Sequence, residues 1–148
     1  MGVHVKRWLV VLFLAGAGAG MGSSPPAHAA PPTSVTISVH RPSDTWSATG
    51  TFADSGTFLD DPFFFGGHSS TIHLVRTFSG ASGTISMQGD ARITSTDDPC
   101  VFEVIGNWSI LSGTGAYDDL HGTGSIDESF NACTGTVEGI WQGNAHFD

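Results

Sequence analysis

From Thr33 onward, apolar residues recur at every second position, and no stretch carries the 3.6-residue period of a helix. Across Thr84–Thr94, Ile85, Met87, Gly89, Ala91 and Ile93 alternate with Ser86, Gln88, Asp90 and Arg92. Between Cys100 and Ile110 one parity holds Phe102, Val104, Gly106, Trp108 and Ile110. Near the C-terminus Val137, Gly139, Trp141, Gly143, Ala145 and Phe147 alternate with a mostly polar set that includes Glu138, Gln142 and Asn144. Further runs are Val35–Val39, Trp46–Phe52, Thr71–Phe78 and Gly122–Asn131. The pattern predicts about seven or eight antiparallel strands joined by short turns. Asp98-Pro99-Cys100 and Asn131-Ala132-Cys133 mark two of those turns.

One apolar and one polar face per strand means a two-sheet sandwich or a sheet wrapped around its own interior. Closing roughly eight strands removes the exposed edges and leaves an interior just wide enough for side chains or one small ligand. Inward glycines at Gly50, Gly89, Gly106, Gly139 and Gly143 suit strongly bent strands and leave room inside. The predicted fold is therefore all-β, a single antiparallel closed β-barrel of about eight strands.

Two charges fall on otherwise apolar parities. Arg76 follows Ile72 and Leu74 and precedes Phe78, and Glu128 lies between Ile126 and Phe130. A charge turned into a barrel is costly unless paired, so such residues often mark a ligand site. A paired Arg and Glu inside can anchor a carboxylate or position a water for proton transfer. The competing reading is a bulge that shifts the register by one and puts either side chain in solvent. Trp46, Phe102, Trp108 and Trp141 sit on inward parities and either line a cavity or fill the core. Phe63, Phe64 and Phe65 break the strand pattern in a turn-rich loop. Such an aromatic run serves as a lid, buries against a second subunit, or folds back on its own barrel.

The stretch Trp108–Ser125 carries two Gly-Thr-Gly units, Gly113-Thr114-Gly115 and Gly122-Thr123-Gly124. Asp118 stands where a nucleotide-binding G-x-G-x-x-G would need glycine, and no strand-to-helix context surrounds it. The physical reading is a strand, a tight glycine corner around Tyr117, and a return strand, with Tyr117 packed over one barrel end or, as the alternative, offering its phenol to a ligand or to catalysis. The block resembles the superfamily of allene oxide cyclases and dirigent proteins. It is most similar to small secreted bacterial proteins with an allene-oxide-cyclase-like barrel. The likeness runs loosely from Trp46 to Asp148 and is specific between Gly113 and Gly124. It implies an eight-stranded barrel with an apolar cavity, cofactor-free cyclisation or isomerisation of a hydrophobic intermediate, and homotrimers. Because the matching residues are corner positions, it transfers no cavity residue to this chain.

Composition and charge narrow the classes further. Fourteen acidic residues against five basic ones argue against a phosphate-binding surface and hence against nucleic acid. Lys6 and Arg7 precede an apolar run from Trp8 to Leu14, followed by small residues and by Ala27-His28-Ala29. That is the order of a secretory signal peptide over residues 1–29, with a barrel domain over 30–148 and no membrane anchor. Beyond residue 29 there is no lysine, which removes Schiff-base and Walker-type chemistry. Cys100 and Cys133 are then expected to pair in an oxidising compartment. No histidine or cysteine spacing matches a metal site and G-x-S-x-G is absent, so neither a metal nor another cofactor is expected. Three readings of function follow: a secreted barrel that binds a small apolar molecule, a cofactor-free isomerase or cyclase, and a cavity-less extracellular interaction or structural protein. Interior volume separates them. A cavity above about 300 Å³ with a buried charged pair favours the enzyme, a dry apolar cavity the binder, and a filled interior the interaction protein.

Overall fold

The computed structural model describes residues 30–61, 64–65 and 70–148. The export segment expected over 1–29 and the lid candidate Phe63 lie outside the described residues, and Phe64 and Phe65 are described by backbone alone. Among the described residues the alternating runs form nine strands. They are β1 (Thr33–Arg41), β2 (Thr45–Gly50), β3 (Asp54–Asp60), β4 (Phe64–Phe65), β5 (Thr71–Gly80), β6 (Thr84–Ser95), β7 (Val101–Gly113), β8 (Leu120–Asn131) and β9 (Thr136–Phe147).

Hydrogen bonding runs β3-β2-β1-β9-β8-β7-β6-β5, each neighbouring pair antiparallel, and β3 returns to β5 to close the ring. Eight strands thus make one barrel. The two-residue β4 lies along β5 past the end of β3, with Phe64 opposite His73 and Phe65 opposite Ile72. Closure satisfies the row of backbone groups that an open edge would leave bare. The interior is aromatic and aliphatic: Trp141, Phe78, Ile37, Ile85, Met87 and Ile126 are its largest fully buried side chains. Each such side chain contributes roughly 1.5–3 kcal/mol by leaving water.

The two ends differ. At one, Cys100 and Cys133 form a disulfide that joins the β6–β7 turn to the β8–β9 turn. Each cysteine is presented by the same local device. Asp98 Oδ1 accepts from the Cys100 N–H, and Asn131 Oδ1 accepts from the Cys133 and Thr134 N–H groups. At the other end a single 3₁₀ turn, Gly115–Tyr117, inserts Tyr117 into the core. Its hydroxyl donates to Asp54 Oδ2 at 2.7 Å, and Asp54 also accepts from the Ser55, Ala81 and Ser82 N–H groups. These donors, Tyr117 first, hold the Asp54 carboxyl down at about 2. Burial and the bond to Asp54 push the Tyr117 phenol up to about 12.

Three local departures from the alternation have physical causes. Strand β3 was not expected, because its inward set of Gly56, Phe58 and Asp60 holds one large apolar residue. β2 stops at Gly50 rather than Phe52, since Gly50 takes a φ of 108° and turns the chain. Phe52 then packs on Tyr117 at 5.3 Å. Gly50 is therefore an exposed strand end, not an inward space-maker. A register shift between Ser86 and Met87 leaves Leu111 of β7 unmatched and about half exposed.

Candidate functional site

The parity that places Val35, Ile37 and Val39 inward continues to Arg41 at the end of β1. Likewise the parity of Phe58 continues to Asp60, that of Leu74 to Arg76, and that of Ile126 to Glu128. All four charged side chains belong to the disulfide end, and they form one network. Arg76 Nε donates to Asp60 Oδ1 at 2.6 Å and Arg76 Nη2 to Asp60 Oδ2 at 3.0 Å, a two-pronged contact with the neighbouring strand. Its Nη1 reaches across the lumen to Glu128 Oε1 at 2.5 Å, from β5 to β8. The same Oε1 accepts from Trp141 Nε1 at 2.7 Å. Arg41 Nη2 meets Asp60 Oδ2 at 3.3 Å, and its Nε meets Asp44 Oδ1 at 2.7 Å on the rim.

Burial grades through the network. Arg76 and Glu128 are 2% and 5% exposed, while Arg41 is half-buried. The Arg76 guanidinium is also layered between aromatic faces, Phe58 at 4.5 Å and Trp141 at 5.0 Å. Burial alone would lower its pKa. The bonds to Asp60 and the nearby charge of Glu128 outweigh that and raise it, so the cation is permanent. The bulge reading for these two positions does not apply: the register shift lies at Ser86/Met87, and both side chains face inward.

A pocket of ≈ 200 Å³ opens onto this network. Its walls are Ile72, Leu74, Ile93, Val104, Phe130 and Val137, and its polar floor is Arg41, Asp60, Arg76 and Glu128. Beyond the floor the lumen is packed. Trp46, Phe78 and Trp141 meet edge to face at 5.3 and 5.6 Å, and Trp46 Nε1 donates to Ser79 O. Trp108 lies against β8 and β9, where a Cβ on Gly124 or Gly143 would stand 2.6 Å from its ring. Among the described residues its Nε1 has no hydrogen-bond partner. At Gly139 a Cβ would run into the Glu128 side chain, so this glycine gives the carboxylate its path into the lumen. Gly89 and Gly139 thus accommodate neighbouring side chains, and Gly106 and Gly143 lie against the backbone of the next strand; none of them leaves open space.

Of the candidates from the sequence, Arg76, Glu128 and Trp141 come together. Phe102 stands half-buried beside the wall residue Phe130 at 6.4 Å. Trp46, Trp108 and Tyr117 pack outside the pocket. Arg41 and Asp60 were missed: Arg41 lies two positions past the Val35–Val39 run, where the parity argument that singled out Arg76 and Glu128 still applies, whereas Asp60 stands on β3, whose inward face carries no apolar period. Among the described residues the histidines pair with carboxylates away from the pocket, His40 with Glu138, His73 with Asp90, and His121 and His146 with Asp148 at 2.9 and 3.6 Å.

No family model, no curated protein and no solved structure matches this chain. The pocket of ≈ 200 Å³ is smaller than the ~300 Å³ expected of an enzyme, carries a buried charged pair, and opens above a packed lumen, so it meets none of the three expectations outright. Its chemistry is that of an apolar cup with a charge-balanced, hydrogen-bonding base.

Proposed function

We propose that the protein is an exported β-barrel that binds one small, mostly apolar molecule in the pocket at its disulfide end. The observation that carries this reading is the convergence of Arg76, Asp60 and Glu128 beneath an apolar wall. A buried ion network is a poor source of stability, since well-packed apolar residues of similar volume do as well or better. Its presence beside a pocket fits ligand recognition. The volume, ≈ 200 Å³, is below the range typical of drug-sized ligands, so the occupant is a one-ring or short-chain molecule. Export draws on the basic, apolar and small-residue order of residues 1–29, and the Cys100–Cys133 disulfide is compatible with an extracellular location.

A second reading, a cofactor-free isomerase or cyclase of the allene oxide cyclase and dirigent kind, draws on the closed barrel, the Gly113–Gly124 corner and the buried Arg76–Glu128 pair. It is the weaker one. Glu128, the base such chemistry would use, has one of its two oxygens taken by Arg76 and Trp141, and its neighbour Arg76 is held as a cation and offers no proton to a substrate. Methyl NMR tests the binding reading. Signals of Ile72, Leu74, Ile93 and Val104 are expected to shift as one-ring compounds are added at millimolar concentration, and Ile93→Trp, which fills the pocket, is expected to abolish the response. Methyls unmoved across such a set overturn it. Native mass spectrometry of the secreted protein reads any co-purified occupant and the subunit count together.

A further inference from the structure

We infer that the pocket selects an uncharged, hydroxyl-bearing molecule over either ionic form of the same skeleton; this rests on the pocket being a binding site. The first reason is geometric. Arg76 is the only arginine deep in the pocket, and its fork of Nε and Nη2 is closed by Asp60 while Nη1 holds Glu128. A ligand carboxylate finds that Nε/Nη2 fork already filled. The carboxylate-anchoring role that the sequence suggests for Arg76 is filled by the protein's own Asp60.

The second reason is charge. Arg41 and Arg76 balance Asp60 and Glu128, with Asp44 half in water on the rim. An added ion leaves a net charge in a largely desolvated place, which is costly for either sign. It is costlier for an anion, because the whole chain carries fourteen acidic residues against five basic ones.

The third reason is the inventory of hydrogen bonds. Glu128 Oε1 accepts two, and among the described residues nothing donates to Oε2. A guanidinium has five N–H groups, and Arg76 commits three bonds. The open valences are one carboxylate oxygen and two N–H groups, on side chains already bonded to each other. A hydroxyl serves both, since it donates and accepts at once. For size, a cavity of about 150 Å³ takes benzene, so ≈ 200 Å³ suits one ring with a short polar arm.

The test is a titration of the folded protein at neutral pH with benzyl alcohol, benzylammonium, benzoate and toluene, read by pocket methyl shifts and by the fluorescence of Trp141 beside Glu128. Benzyl alcohol is expected to bind ~10-fold more tightly than toluene, the worth of a hydrogen bond to a charged acceptor. Benzylammonium is expected to fall between benzyl alcohol and benzoate, with benzoate ~100-fold weaker than the alcohol. Benzoate matching the alcohol, or toluene matching it, overturns the inference and leaves the pocket a binding site. Failure of all four at millimolar concentration overturns the binding reading itself. In Glu128→Gln the floor gains a net positive charge, and benzoate is expected to improve ~10-fold relative to benzyl alcohol. An unchanged ratio in a folded variant sinks the charge argument.

Discussion

Arg76 makes three hydrogen bonds to two carboxylates and lies over two aromatic rings, so its removal strands partners rather than merely deleting a contact. Asp60 retains Arg41, but Glu128 then has no cation within reach among the described residues. Arg76→Met is therefore expected to cost about 3–5 kcal/mol, most of it the penalty of a buried carboxylate without a counter-charge. Adding Glu128→Gln removes that stranded charge while keeping an oxygen for Trp141 Nε1. The double variant is expected to regain more than half of the loss, measured as the shift in urea midpoint at constant slope. A double variant no more stable than the single one would mean that lost packing on Phe58 and Trp141, not charge balance, sets the cost.

At the scale of strands, β6, β7 and β9 are legible because nearly every second residue is apolar or glycine. β3 is not. One large apolar residue on its inward face carries no period, and its place is fixed by pairing to β2 and β5, which local sequence does not encode. The candidate site divides the same way. Parity shows that Arg76 and Glu128 face inward, but their meeting depends on the barrel bringing β5 and β8 across a common lumen. Gly139 shows how one strand serves another. It stands opposite Glu128 in the β8–β9 ladder, and its missing side chain is where the Glu128 stem lies. Gly139→Ala is expected to cost about 1–3 kcal/mol, the usual range for an overpacked interior. It is also expected to weaken benzyl alcohol binding by displacing the carboxylate. An alanine variant with unchanged pocket methyl shifts would show that Glu128 has an alternative path.

For the whole molecule, the disulfide links stability to the pocket. It closes a span of 33 positions that includes all of β7 and β8, and chain-entropy reasoning assigns such a loop about 3–4 kcal/mol. The barrel itself is closed elsewhere, by β3 against β5, so the ring of strands does not depend on the bridge. The double variant Cys100→Ser/Cys133→Ser is accordingly expected to fold to the same strand content by far-UV circular dichroism while losing about 3 kcal/mol in denaturant. The wall residues Phe130 and Val137 flank the bridged β8–β9 turn, whereas Ile72 and Leu74 stand on β5, which the bridge does not touch. Loss of the bridge is therefore expected to broaden the pocket signals on the β8–β9 side first. Two features oppose the effect: Asp98 and Asn131 fix the cysteine turns independently, and the Ala132 N–H donates to Cys100 O at 2.8 Å. A loss below about 1 kcal/mol would mean these local bonds already hold the turns together, leaving little loop entropy for the covalent bond to remove.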